Sequence, residues 1–438
     1  MNFFGTDGIR GTFGSTLTAG TAFLLGKSLA LLGGDCPIVL IARDTRVSGE
    51  ALFQGVAQGV YAGGGNVINL GVLPTNAVGH FVRKMGGDYG VMITASHNPP
   101  QDNGLKVFDR YGVKLCASKQ NVVSKMMNSI SVSPSAKGRI CEPLFYDIEN
   151  IYCEDLLNLL KVDLSNIKIA VDCCYGAAYR VARMLFAKAH ANVTCFCDKN
   201  LGKQINVGCG ATHPEFLLQK MQKENFHLGF AFDGDADRLA VFEKNQLVPN
   251  NKVFYAVAKY LKLTGKLQHN AVCGTVLTNG GVEVALNRLG IELLRSDVGD
   301  TNVFNLMVKN SLNFGGEESG HYLLGDFETS SDALLNALLV AKIYREKGSL
   351  LQFAKECNDV FSVTANLPIT AGNEILTGQQ NLLSMSGRVS QMFPNCRLVL
   401  RKSGTENKVR AYAEGDDAQS AIDCVVATFS QNVVRPEN

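Results

Sequence analysis

Three aspartates stand at alternate positions in Asp233-Gly234-Asp235-Ala236-Asp237-Arg238, directly after the apolar run Leu228–Phe232. Carboxylates this close repel one another; at an effective dielectric near 20, a like pair about 4 Å apart costs about 4 kcal/mol. A hard divalent cation relieves that repulsion, and Mg²⁺ takes a few carboxylates together with a phosphate oxygen. An EF-hand loop does not fit, because its glycine position holds Arg238 and its closing glutamate position holds Lys244. A merely solvated acidic loop is the competing reading, and a fully apolar strand just before it argues against that.

Three further polar loops have the same setting. In Gly90–Asn98 (GVMITASHN) the run Val91–Ile93 reads as a buried strand that releases Ser96, with His97 beside it, while Pro99 and Pro100 keep a helix from starting at once. An open α/β sheet places its chemistry there, outside the carboxyl ends of its strands, although a plain Ser/Asn turn has the same composition. Gly315–His321 (GGEESGH) lets the backbone approach a ligand, with Glu317 and Ser319 set to bond sugar hydroxyls and His321 able to exchange a proton. Arg401–Asn407 (RKSGTEN) combines a guanidinium with the hydroxyls of Ser403 and Thr405 and backbone freed by Gly404, an anion nest suited to a phosphate dianion. Arg410 follows on the strand leaving that loop; a basic surface turn is the plainer alternative.

The elements that must hold these loops alternate in type. A helix is expected over 19–32, with Thr18 as N-cap and Gly33 as stop, then a strand over 37–42, a helix over 49–62 and strands at 67–70 and 91–93. Arg43 ends the first of these strands and is a weaker candidate for the same cleft. The stretch 116–150 reads as polar and irregular. The cadence restarts with strands at 167–171, 193–196 and 228–232 around helices at 176–189 and 214–223. A third round brings a helix from Lys252, strands at 271–276, 291–294 and 312–314, helices at 282–289 and 303–309, and a long helix over 332–345. The last stretch mixes strands at 361–367, 397–401 and 408–413 with helices near 376–392 and 417–429. The expected fold is therefore three similar α/β domains in series with mixed, mostly parallel sheets, plus a small α+β C-terminal domain, around a central cleft. The domains are placed at 1–150, 151–250, 251–360 and 361–438.

With 438 residues the chain exceeds a single core, and its 46% apolar content is ordinary for a soluble protein. A net charge of +2 gives no footprint for nucleic acid, and no apolar run approaches the about 20 residues of a membrane span. The start, MNFFGTDGIRGTFG, has neither the basic region nor the apolar core of a signal peptide, so a cytoplasmic protein is expected. Thirteen cysteines without paired C-x2-C spacings read as free thiols in a reducing compartment rather than disulfides or a zinc site. Gly26-Lys27-Ser28 lacks the upstream glycine of a P-loop and lies in a helical pattern.

Taken in series, Ser96 in TASHNP, DGDADR, GEESGH and RKSGTEN match the four signature motifs of the α-D-phosphohexomutase superfamily, which the chain resembles over essentially its whole length. Within it, Phe4–Gly11 (FGTDGIRG), Gly274–Val276 and Val298–Asp300 are similar to bacterial phosphoglucosamine mutases. The chain departs from that pattern at Glu318, where Gln is usual, at Thr301, where Arg is usual, and at Asn407, where Pro is usual. The first two touch sugar selection. Cys174-Tyr175 replaces a usual small-residue turn and reads as packing.

The resemblance implies a phosphorylated Ser96 and one Mg²⁺ held by Ser96, Asp233, Asp235 and Asp237. It implies catalytic roles for Lys106, Arg10, His97 and His321, with Lys106 a candidate base whose pKa would have to fall through burial or a cationic neighbour such as Arg10. Substrate contacts fall to Glu317, Ser319, Arg238, Arg401, Ser403, Gly404, Thr405 and Arg410. The four domains then carry, in order, the phosphoserine, the metal, the sugar and the phosphate. The implied reaction interconverts glucosamine 6-phosphate and glucosamine 1-phosphate through glucosamine 1,6-bisphosphate, or glucose 1,6-bisphosphate as activator, in the supply of UDP-N-acetylglucosamine. A phosphomannomutase/phosphoglucomutase is the nearest alternative. A dehalogenase-type phosphatase would share Asp233-x-Asp235 but continue to Thr or Val where Asp237 stands, and a non-catalytic sugar-phosphate sensor would not need Ser96 and Lys106 intact. The expected partner is a small hexosamine phosphate, with no nucleic acid and no membrane; a homodimer is left open.

Overall fold

Thr18 accepts the Thr21 N–H at 3.1 Å and starts α1 (Ala19–Leu32), which Gly33 closes, as the sequence predicts. This first helix lies against α2 (Gly49–Ala62) with the backbones almost touching. A Cβ on Gly26 would stand 2.1 Å from the Val56 carbonyl oxygen, and one on Gly59 2.1 Å from that of Phe23. Only glycine permits this approach, and it lets two largely apolar helices share one face of the first sheet. The computed structural model describes residues 3–5, 7–131, 140–141, 147–325, 329–370, 372–403 and 407–431.

The first sheet contains β1 (Ile9–Thr12), β2 (Ile38–Arg43), β3 (Asn66–Val72), β4 (Tyr89–Ile93), β5 (Asp102–Asp109) and β6 (Ile140–Cys141), in the order β1-β5-β4-β2-β3-β6. Its β6, β3, β2 and β4 run parallel, while β5 and β1 add an antiparallel edge. On one face α4 (Ala117–Ser129) joins α1 and α2, while on the other α3 (Thr75–Met85) is buried in the core shared with later segments. After α5 (Ile148–Leu160) the second sheet takes β7 (Lys168–Asp172), β8 (Asn192–Phe196), β9 (Leu228–Phe232), β10 (Leu239–Glu243) and β11 (Gln246–Val248) in the order β11-β10-β9-β7-β8, with α6 (Val181–Lys188) and α7 (Pro214–Met221).

The third sheet, β12 (Ala271–Thr275), β13 (Glu292–Ser296), β14 (Phe314–Gly316) and β15 (Tyr322–Leu324), is ordered β13-β12-β14-β15 and packs with α8 (Asn250–Leu263), α9 (Gly280–Asn287) and α10 (Asp300–Lys309). After α11 (Ala333–Lys347) and the short α12 (Leu350–Phe353), the last sheet joins β16 (Ser362–Pro368), β17 (Cys396–Lys402) and β18 (Lys408–Gly415) antiparallel, covered by α13 (Gln379–Met392) and α14 (Ala418–Gln431). Parallel pairing prevails in the first and third sheets; in the second, parallel and antiparallel pairs are equal in number.

The structure corrects the sequence-based expectations in places. The stretch expected to be irregular from 116 contains α4, whose Val123 and Met127 are buried in the first core while its polar residues, Ser124 aside, face out in the main. Residues 132–139 and 142–146 of that stretch lie outside the described residues. Strands β1, β5 and β10 and helix α3 stand where the apolar pattern predicts no element. The helix expected from Gly176 begins only at Val181, because Cys174 and Tyr175 adopt left-handed backbone (φ 57° and 51°) and Ala177 N–H bonds the Gly234 carbonyl. Arg43 does close β2, but its guanidinium pairs with Glu50 at 2.8 Å and covers the Phe53 ring.

The first three sheets share a core on one face, while the other face of each has a smaller cluster of its own. Apolar residues of β4, β7, β9, β12 and β14 join one continuous core with α11, which is apolar nearly all round and almost wholly buried. Its N-cap, Asp332, accepts the N–H groups of Leu334 and Leu335, the Tyr152 hydroxyl and the Asn76 amide. One buried carboxylate thereby ties the first, second and third segments. That rigidity is what a site assembled from several segments requires.

Candidate active site

Ser96 stands three residues past β4 in a loop held almost entirely through its backbone. Arg46, fully buried, donates to the carbonyls of Ser96 and Asn98 at 2.8 Å and of Asp102 at 2.9 Å, and pairs with Asp44 at 2.9 Å. Thr94 links Asp44 to the loop, donating its hydroxyl to the carboxylate and accepting the Ser96 N–H. From the second segment, the Asn206 amide donates to the same Ser96 carbonyl at 2.8 Å. These bonds hold Ser96 at φ 53°, a left-handed conformation costing a non-glycine residue on the order of 1 kcal/mol. Its Oγ is 2.7 Å from Asp233 and 3.4 Å from His97 Nδ1.

The aspartate loop turns back at Ala236, also left-handed, so that Asp233 Oδ1 accepts the N–H groups of Asp237 and Arg238 at 3.1 Å. Gly234 lies against the serine loop: a Cβ there would be 2.5 Å from the Ser96 carbonyl oxygen. Asp233, Asp235 and Asp237 each bring a carboxylate oxygen within 4.8 Å of the others, and all three are buried. Burial, with the charges of Asp237 and Asp235, pushes the Asp233 carboxyl up to about 8. Asp235 Oδ1 is buried with no hydrogen-bond partner. An orphaned carboxylate oxygen among three crowded hard donors is what an oxygen-seeking divalent cation satisfies, so the residues fit Mg²⁺.

Lys106, on β5 opposite Met92, points its Nζ into this cage, 2.8 Å from Asp235, 3.0 Å from Asp237 and 3.1 Å from Asp7. The lowered pKa expected of it is not found. Burial by itself would lower it, but Asp235, Asp237 and Asp7 outweigh that and hold the ammonium well above the usual lysine range. His97 goes the other way: burial, with Arg238 and Arg10 close by, takes it down to about 4. Arg10 pairs with Asp7.

The third segment closes the cage from the opposite side. His321 Nε2 lies 2.9 Å from Asp237, and Ser319 Oγ lies 2.9 Å from His321 Nδ1. Burial opposes charge on His321, but Asp237 and the hydrogen bonds of Asp237 and Glu317 raise it to about 10. Glu317 also accepts the Gly299 N–H, and the Gly320 carbonyl accepts the Leu239 N–H, which docks this loop on the second sheet. Glu318 accepts the Thr275 hydroxyl.

In the last sheet Arg401 and Arg410 are register partners on β17 and β18. Burial and Arg410 lower the Arg401 pKa, while Glu318, Glu317 and Asp297 pull it up, which places the basic pair opposite the third-segment loop. Arg401 Nε is buried without a partner, as is Arg238 Nε. Ser403 follows at the strand end; Gly404 and Thr405 lie outside the described residues.

Several residues with no signal of their own in the sequence are drawn in. Asp7 joins Lys106, Arg10 and Lys114, and Lys114 bridges on to Asp300 at 2.6 Å. Thr75 donates its hydroxyl to Asp235. Asp7 and Asp300 could have been found, since both lie in the FGTDGIRG and VGD motifs; Arg46, Thr75 and Asn206 belong to no such pattern.

Family models described as phosphoglucomutase/phosphomannomutase match in order: α/β/α domain I over 1–133, domain II over 150–246, domain III over 249–361 and the C-terminal domain over 363–430. The phosphoglucosamine mutase of Caldanaerobacter subterraneus is 37% identical, covering 94% of this chain and 95% of its own. That of Thermotoga neapolitana is 39% identical, covering 95% and 96%. The chain belongs to the phosphoglucomutase/phosphomannomutase family. Solved structures share the family fold: a phosphoglucomutase/phosphomannomutase family protein from Burkholderia thailandensis superposes with a TM-score of 0.82 at 22% identity, covering 100% of this chain and 98% of that one. The N-acetylphosphoglucosamine mutase of Aspergillus fumigatus, crystallised with GlcNAc-6P and magnesium, gives 0.66 at 17% identity, covering 99% and 95%. No helix among the described residues is long and apolar enough to cross a membrane.

Proposed function

We propose that this chain is a phosphohexose mutase that interconverts glucosamine 6-phosphate and glucosamine 1-phosphate through a phosphorylated Ser96 and a sugar bisphosphate. One observation carries the reading: Ser96 Oγ lies 2.7 Å from Asp233, at the rim of a three-carboxylate cage that already holds a buried ammonium. The substrate choice rests on the relatives, which are phosphoglucosamine mutases at 37% and 39% identity.

In the forward direction the phosphoryl group leaves Ser96 Oγ for the free hydroxyl of the sugar phosphate, forming one P–O bond as the other breaks. After the bisphosphate has turned around, its other phosphate returns to Oγ. Asp233, Asp235, Asp237 and the phosphorylated Ser96 would hold a Mg²⁺, which would supply charge neutralisation. Lys106, held protonated, stabilises the developing phosphate charge rather than acting as base in this arrangement. His97, neutral above about pH 4 and beside Oγ, is in the state to take the hydroxyl proton, and Arg10 steadies Asp7 and the phosphate. Glu317 and Ser319 read the sugar hydroxyls with His321, while Arg238, Arg401, Ser403, Gly404, Thr405 and Arg410 hold the distal phosphate. A single distal clamp that accepts either phosphate is what the turn-around demands.

The twelve cysteines whose side chains are described are free, which suits the reducing cytoplasm where soluble sugar phosphates are found. The deciding experiment compares isomerisation of glucosamine 6-phosphate, mannose 6-phosphate and glucose 6-phosphate, with Ser96→Ala as control. Preference for glucosamine 6-phosphate, lost in the variant, supports the assignment; a clear preference for mannose 6-phosphate overturns it.

A further inference from the structure

Behind the aspartate loop, where no step of the proposed reaction takes place, lies a second group of ligating side chains. Asp172 ends β7, Cys197 follows β8, and Cys209 precedes α7; one ligand atom from each lies within 4.8 Å of the other two. Cys174 Sγ donates to the Cys209 carbonyl oxygen at 3.6 Å, which sets it beside the group. Nothing in the spacing of positions 172, 197 and 209 announces a metal site, because the end of β7 and two distant points of the connection between β8 and α7 supply the donors.

We infer that Asp172, Cys197 and Cys209, with Cys174 beside them, bind a soft divalent cation of the Zn²⁺ type, separately from the magnesium cage. Two thiolates and a carboxylate leaving one position open is a zinc donor set, and Zn–S bonds of about 2.3 Å bring the two sulfurs of a tetrahedral site to about 3.8 Å. The carboxylate is already oriented: Asp172 accepts the Cys174 N–H at 2.9 Å and the Gly210 N–H at 2.6 Å. Each oxygen keeps a further lone pair for a metal, and such outer bonds are what fix a ligand's direction.

The backbone around the site is left-handed at three non-glycine residues. Cys174, Tyr175 and Cys197 all take left-handed φ (57°, 51° and 50°), each at a cost on the order of 1 kcal/mol that glycine would avoid. Gly210 closes the loop over the thiols at φ 83°, where a Cβ would sit 2.3 Å from Cys174 Sγ. Asp172, Cys174 and Cys209 are buried, whereas Cys197 and Tyr175 are partly exposed and give an ion its way in. The site also communicates with the first one, since Cys174 Sγ donates to Asn206 at 3.0 Å and Asn206 donates to the Ser96 carbonyl.

The test titrates the full-length, Mg²⁺-saturated protein with Co²⁺ under a phosphine reductant. A thiolate-to-cobalt charge-transfer band that saturates at one equivalent and is displaced by Zn²⁺ is expected. Cys197→Ser and Cys209→Ser should each weaken it at least tenfold, whereas Asp235→Asn in the magnesium cage should leave it in place. A second measurement needs no variant: Zn²⁺ should slow alkylation of Cys197, read by peptide mass spectrometry, without slowing that of exposed Cys36. Absence of the band, a band unchanged in both cysteine variants, or equal alkylation of Cys197 with and without Zn²⁺ would each overturn the inference.

Discussion

Lys106 shows how one buried charge can stand in for another. Its ammonium has three carboxylates within 3.1 Å, and removing it would take the ion-pair partner from Asp235 and leave Asp7 to Arg10 and Lys114 and Asp237 to His321. Losing one partner of a buried ionic group costs about 3–5 kcal/mol. Lys106→Met is therefore expected to lower metal-free stability by about that amount, and Mg²⁺ should restore more of the melting temperature in the variant than in the native chain. Equal Mg²⁺ shifts in the two proteins, measured by calorimetry, would show that the ammonium and the cation do not share one role. Asp233 adds a pH signature. Its folded pKa, about 8, lies above the unfolded value, so the folded metal-free protein holds a proton that the unfolded chain releases near pH 4. Stability from this group is complete below about pH 4 and falls as pH rises toward 8. Because a cation needs the ionised carboxylate, Mg²⁺ binding at pH 7 should release a proton, and affinity should climb up to about pH 8. Calorimetry in buffers of different ionisation enthalpy measures this directly; a binding heat independent of buffer would exclude it.

The serine and aspartate loops act as one element although they come from different segments. Gly234 lies so close to the Ser96 carbonyl that a methyl group at that position would come within 2.5 Å of it and within 2.9 Å of the Asn206 amide. Gly234→Ala should therefore push the loops apart while leaving both sheets intact. Displacement of reacting groups by about 1 Å can cost about 10²-fold in rate, and kcat should fall by about that factor with an unchanged circular-dichroism spectrum. A near-native kcat would mean the loops need not touch. The loops themselves were legible in the sequence because each breaks an apolar strand with polar residues of distinct chemistry, and α1 is found where its caps put it and α2 where its periodicity does. β5 was not, because Asp102, Lys106 and Asp109 interrupt the apolar signal, and only the carboxylates of other segments make it possible to bury that lysine. Arg46 and Asn206 were invisible for a related reason: they act on carbonyl oxygens, which have no sequence identity to match.

Across the whole molecule, the fourth sheet is held to the third through a small polar joint rather than the shared apolar core, since its buried residues form a cluster of their own. Glu414 accepts the Gly280 N–H at the start of α9 with both oxygens, and Arg397 Nε donates to it at 2.6 Å. The same guanidinium reaches the Val276 and Thr278 carbonyls on the far side of the joint. This one side chain spans the contact that sets Arg401 and Arg410 opposite Glu317 and Glu318. Charge-assisted hydrogen bonds of this kind contribute about 1.5–3 kcal/mol each, and about 1.4 kcal/mol is tenfold in binding. Arg397→Ala should consequently raise KM for the sugar phosphate about tenfold or more, because the distal clamp is no longer presented at a fixed distance. The magnesium cage draws no ligand from the fourth sheet, so Mg²⁺ affinity should stay native. Loss of Mg²⁺ binding together with the KM rise would instead mean that the joint supports the entire fold, and an unchanged KM would mean that the clamp keeps its place without the joint.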